Sequence, residues 1–162
     1  MYILDSNIFI QAHRSYYPFD VVPSFWKKLE ELSHKGVISS IDKVKMEICD
    51  RAYPDELANW CADRLPNNFF KDSSISLDSY SELVHWTENS YFNQRAKDEF
   101  LTTDLADPWL IAVARTNNYT VVTHETSNPN RVSRIKIPEP CIHFGVRYID
   151  GIQMFRDLAQ SF

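Results

Sequence analysis

The chain has 162 residues, enough for one domain with a sizeable core, and its 44% hydrophobic and 14% aromatic content excludes a disordered chain. No apolar run approaches the roughly 18 residues of a membrane span and the N-terminus lacks a signal-peptide pattern, so the expectation is a single cytoplasmic domain over 1–162 with no membrane partner. A formal net charge of −5 at first argues against a nucleic-acid partner, although carboxylates that hold divalent cations change sign locally once these bind.

The opening residues Tyr2, Ile3 and Leu4 predict a short buried strand, and "NIFIQA" the start of a helix. Asp5 therefore stands at the carboxyl end of a first strand, the edge where open α/β sheets bind ligands; Asp5 and Asn7 also suit the cap of the following helix. "PSFWKKLEELSHKG" places Phe25, Trp26, Leu29 and Leu32 at helical spacing and stops at Gly36. "VISS" predicts a second strand, with Ser40 as N-cap of the helix "IDKVKMEICDRA", whose apolar stripe of Ile41, Val44 and Ile48 runs beside Glu47. Two further helices follow, one starting at Pro54 in "YPDELANWCADRL" and one in "LDSYSELVHWTENSYFNQRAKDEFL" broken near Asn89 and Ser90.

In "TTDLADPWLIAVARTNNYTVVTHE", Trp109 to Ala114 is apolar on nearly every face, which predicts a buried helix. A short "NN" turn joins it to the strand "YTVVT". Such a pair is half of a βαβ unit, so the expected fold class is α/β, with a central parallel sheet of four to five short strands flanked by helices on both faces. "TSNPN" reads as loop, "RIKIP" as an edge strand ended by Pro138, and "IDGIQMFRDLAQSF" as a terminal helix. The three cysteines, Cys49, Cys61 and Cys141, show no CxxC spacing and suggest neither a disulfide framework nor a thiolate zinc site. The five histidines lack HxxxH and HExxH spacing, and His124 reads as a solvated loop residue.

Parallel strands bring their carboxyl ends to one edge, so Asp5, Asp107 and Glu125 should face a common crevice. Three acids in one small volume repel unless one protonates or cations intervene; Mg²⁺ and Mn²⁺ prefer such oxygen ligands. Each acid has a plainer role as well. Asp107 before Pro108 suits a helix N-cap, Glu125 an exposed loop, and Glu47 a helix surface. Asp104 is either an auxiliary acid or a surface residue. Cations that could meet a nucleic-acid backbone are Arg131, Arg134 and Lys136, with Lys43 and Lys45 reading as a solvated face.

The order "ILDSN", a lone Glu on a helix, "DPWLIAVA" and then "VVTHE" resembles the PIN-domain nucleases over positions 2 to about 125. The tail "IKIPEPCIHFGV" and the length look like a bacterial PIN-like group related to VapC-type toxins. The resemblance implies a metal site of Asp5, Glu47, Asp107 and Glu125, with Asn7 and Thr123 as polar helpers and Asn7 orienting Asp5. It implies Mg²⁺ or Mn²⁺ as cofactor, an RNA substrate for an endoribonuclease, an antitoxin protein as partner and a homodimer. One departure stands out: the fourth acid of the family is often Asp, and here it is Glu125. A phosphotransfer enzyme of the DxDxT kind would need an acid where Asn7 stands. The rival reading is a degenerate PIN-like module that binds RNA or a protein without cutting.

Overall fold

The computed structural model describes residues 1–49, 54–102 and 104–162. Its sheet is built from Tyr2–Leu4 (β1), Ile38–Ile41 (β2), Phe70–Lys71 (β3), Thr120–Val122 (β4) and Tyr148–Ile149 (β5), in the order β3-β2-β1-β4-β5. Every pairing is parallel, with Tyr2 opposite both Ile38 and Thr120, and Leu4 opposite Val122. The α-helices among the described residues are Ser6–Gln11 (α1), Pro23–His34 (α2), Asp42–Cys49 (α3), Glu56–Arg64 (α4), Leu77–Asn89 (α5), Gln94–Phe100 (α6), Ala106–Asn117 (α7), Pro138–Phe144 (α8) and Gly151–Asp157 (α9).

β1 sits at the centre because Ile3 and Leu4 are both apolar and fully buried, as a strand covered on both faces requires. α7 is buried on almost every side, with Leu110, Ile111, Ala112, Val113 and Ala114 all inaccessible, and it packs on β2, β4, α3 and α5. Each buried Leu or Ile there contributes about 1.5–3 kcal/mol. The "NN" turn ends α7 with Asn118 in the left-handed region at φ 54, a conformation Asn tolerates better than most residues. α2 supplies Phe25, Trp26, Leu29 and Leu32 to the core as its spacing foretold.

Three expectations need correction, and one strand was not foreseen. Ser40 is not a helix cap: Ile41 still belongs to β2, and the Ser40 hydroxyl donates to the Leu4 carbonyl at 2.6 Å, tying two strands together. Asp107 is not the N-cap of α7, which starts at Ala106 with Leu105 in the capping position. "RIKIP" forms no strand; Pro138 opens α8 instead, where its missing N–H costs nothing, and the edge strand is β5. The short β3, Phe70–Lys71, has too few residues to leave a period in the sequence. The break of the long helical stretch near Asn89 does occur, with Asn93 capping α6 through the Ala96 amide. Residues 50–52, placed by the sequence in the helix after Ser40, and Tyr53 lie outside the described residues.

Candidate metal centre

β1 and β4 are neighbours, while β2 lies on the other side of β1, so the chain reverses direction of travel across the sheet between them. Crevices open at such switch points, and Asp5 and Thr123 leave the two strands side by side there. Asp5 is only 3% exposed. One of its oxygens accepts from Thr123 Oγ1 at 2.8 Å, and Ser6 Oγ approaches the other at 3.4 Å. The same Thr123 hydroxyl accepts from Asn7 Nδ2 and from the Glu125 amide, each at 3.1 Å. Its one donor and both lone pairs are thereby used. Asn7 thus bonds Thr123, and through its Oδ1 the His124 amide at 3.2 Å, whereas the sequence placed it directly on Asp5. His124 itself is half-buried, its ring edge against Tyr16, and burial lowers its pKa.

Replacing Thr123 by Val keeps the β-branched shape and removes all three bonds. The buried Asp5 carboxylate then lacks its best donor, so Thr123→Val is expected to cost about 2–3 kcal/mol in denaturant unfolding; a loss below about 0.5 kcal/mol would contradict this account of Thr123.

Glu47 reaches the same region from α3. Its Oε1 accepts from the Ala106 amide at 3.2 Å, which satisfies a free N–H at the start of α7 and places the acid beside Asp107 in the first turn. Burial pushes the Asp5 carboxyl up to about 7, with repulsion from Glu125 and Glu47 adding to it and the Thr123 hydrogen bond opposing. Asp107 is also held well above the usual carboxylate range, by burial first and then by the charges of Asp5, Glu125 and Glu47, with Arg134 opposing. The four acids singled out in the sequence therefore share one electrostatic neighbourhood. They do not form a closed cage, for among the described residues no three His, Cys, Asp or Glu side chains stand together as ready-made ligands. Glu125 in particular is turned aside: Oε2 accepts from the Ile137 amide at 2.8 Å and Oε1 lies 3.9 Å from Lys136 Nζ.

A cleft of about 390 Å³ opens over this region, walled by Glu47, Asp107, Asp104, Glu99, Phe100 and Arg134. Asp104 is exposed and pairs with Lys43 at 3.5 Å, and Lys45 lies over the Phe70 ring. Of the three cations in "NRVSRIK", only Arg134 faces the cleft. Arg131 lies 3.9 Å from Glu139 and is mostly buried, and Lys136 answers Glu125. Sequence reasoning missed Glu139. It is 8% exposed on α8 and accepts from Ser127 Oγ and the Asn128 amide, yet nothing in "IKIPEP" distinguishes it from a surface acid. The thiols of Cys61 and Cys141 are buried and their pKa values pushed up, which removes them as nucleophiles.

The chain belongs to the family described as Domain of unknown function (DUF4411), whose model matches residues 2–162. No curated protein matches it. Among solved structures it is similar to a chain of the crystal structure of VapBC2 from Rickettsia felis bound to a DNA fragment from their promoter, with 17% identity and a TM-score of 0.54 over 92% of this chain and 97% of that one. At that identity the likeness speaks to the fold alone, a five-stranded parallel α/β sheet flanked by helices. Among the described residues, no helix is long and apolar enough to cross a membrane.

Proposed function

We propose that the chain is a divalent-metal-dependent endoribonuclease that hydrolyses RNA phosphodiester bonds, with Asp5, Glu47 and Asp107 as the residues that would hold Mg²⁺ or Mn²⁺ and Glu125 supporting them from the rim. The observation that carries the reading is the gathering of four carboxylates at the switch point of a parallel sheet, where burial first and the charges of their neighbours second hold Asp5 and Asp107 above their ordinary range. An all-oxygen, all-carboxylate donor set of this kind suits hard divalent cations. When bound, such a cation supplies positive charge opposite a phosphate and lowers the pKa of water.

The chain's own residues divide the remaining work. Thr123 fixes one Asp5 oxygen and so aims the other side of the carboxylate, and Asn7 fixes Thr123. Glu47 ties α3 to the first turn of α7 and so sets the spacing between itself and Asp107. Arg134, across the cleft, meets a substrate phosphate and offsets its charge while the acids face it. A role as the toxin of a type II toxin–antitoxin pair, with an antitoxin partner and a homodimeric state, is supported by the fold shared with a chain of VapBC2.

A second reading, a PIN-like module that binds RNA or a protein without cutting, is favoured by one observation: Glu125 and Glu47 already spend oxygens on protein amides. The two readings part in a chelation experiment with purified protein and a single-stranded RNA. The nuclease is expected to cut with Mg²⁺ or Mn²⁺ and to stop in EDTA, whereas the module binds without cutting in both. Cutting that persists in EDTA would rule out the metal mechanism.

A further inference from the structure

The segment between β4 and α8 carries Arg134 to the cleft, and it has no regular structure of its own to hold it there. Two glutamates close it reciprocally. Glu125, at its start, accepts from the Ile137 amide at 2.8 Å near its end. Glu139, just beyond its end, accepts near its start from the Asn128 amide at 2.8 Å and Ser127 Oγ at 3.1 Å. The other Glu139 oxygen faces Arg131 at 3.9 Å, and the Asn93 amide at the cap of α6 donates to the Val132 carbonyl at 2.9 Å. Ile135, 3% exposed beside Arg134, belongs to the hydrophobic core and lines the cleft as well.

Such a device is more than a loop ornament. Glu139 is a buried carboxylate taken out of water, a cost that hydrogen bonds and the nearby guanidinium offset only while the segment keeps this shape. From this geometry we infer that Glu139 is a positioning residue for substrate binding: with Glu125 it locks the segment 125–139 so that Arg134 stands at the cleft wall, facing a phosphate of a single-stranded nucleic acid. The inference rests on the nuclease reading for the identity of the substrate, and on the hydrogen bonds alone for the lock.

The test joins amide exchange, RNA binding and a double-mutant cycle in the full chain. Glu139→Ala removes the acceptor of the Asn128 amide, whose hydrogen exchange is expected to speed up by about tenfold or more; Glu139→Gln keeps an acceptor oxygen and restores protection. Arg134→Gln is expected to weaken binding of a single-stranded oligonucleotide about tenfold and to reduce the salt slope by about one. Glu139→Ala should weaken binding to a similar extent, raising KM with little change in kcat, while Mn²⁺-induced stabilisation persists. Because Glu139 acts through Arg134, the double variant should lose no more than the Arg134→Gln single variant.

Additive losses in the cycle, or a Glu139→Ala variant that exchanges Asn128 rapidly yet binds RNA like the parent, would overturn the inference. Unchanged exchange in Glu139→Ala would overturn the lock itself. A parent protein that binds no RNA under any condition would overturn the nuclease reading and the substrate role of Arg134 with it, and the exchange arm would then decide the lock alone.

Discussion

Asp107→Asn is expected to melt at or slightly above the parent temperature in EDTA while losing Mn²⁺-induced stabilisation and more than about a hundredfold in RNA cleavage. The helix start loses little, because Leu105 and not Asp107 occupies the capping position of α7. A carboxylate in the first turn contributes about 0.3–1 kcal/mol through the helix dipole, and relief of repulsion from Asp5, Glu125 and Glu47 works against that loss. The amide cannot supply the missing charge. A ligand present at a hundredfold excess over Kd stabilises by about 2.7 kcal/mol, which for a chain of this length is a shift of several degrees. Melting curves with and without Mn²⁺, beside a cleavage assay on the same preparation, check the pair of effects; a variant that keeps both would remove Asp107 from the site.

The second large effect is on pH. In EDTA, the parent is expected to grow more stable as pH falls from 8 towards 6.5. The Asp5 carboxyl is pushed up to about 7 in the folded protein from an ordinary 3.8, so below pH 7 the folded state binds a proton that the unfolded state does not. Stability therefore rises as pH falls through the folded value, the reverse of a salt-bridged acid, and each unit of separation corresponds to about 1.4 kcal/mol. Asp107 acts in the same direction. His124, whose pKa is lowered by burial, acts in the opposite direction below its ordinary value, which sets the lower end of the window at about pH 6.5. Asp5→Asn should flatten the profile, and saturating Mn²⁺ should reverse it by favouring the ionised carboxylates. Urea midpoints across the window provide the measurement, and a parent that loses stability as the pH falls from 8 to 6.5 in EDTA would contradict the assignment.

The parts of this molecule that a period or a strong local signal marks were legible in the sequence. The apolar stretch from Trp109 to Ala114 read as a buried helix and the β-branched run after Asn118 as a strand, so a shared carboxyl edge for Asp5, Asp107 and Glu125 followed from parallel pairing, while the strand order that makes it a switch point did not. What escaped was set by partners distant in sequence. Pro138 ends a strand or opens a helix with equal ease, and the Ile137 amide before it donates to Glu125, twelve residues away, and not to a neighbouring strand. Ser40 caps helices well in isolation, but the Leu4 carbonyl on the neighbouring strand claimed its hydroxyl. Glu139 looked like any exposed acid until the Ser127–Asn128 turn folded over it. Of the basic cluster, the sequence could not separate Arg134, free to face the cleft, from Arg131 and Lys136, which answer internal acids.

Anomalous diffraction from a crystal soaked in Mn²⁺ would locate a divalent cation held by Asp5, Glu47 and Asp107. A manganese peak bounded by those three carboxylates at the carboxyl edge of β1 is expected. No peak there at saturating Mn²⁺, or a peak confined to surface acids such as Asp72 or Asp157, would contradict it.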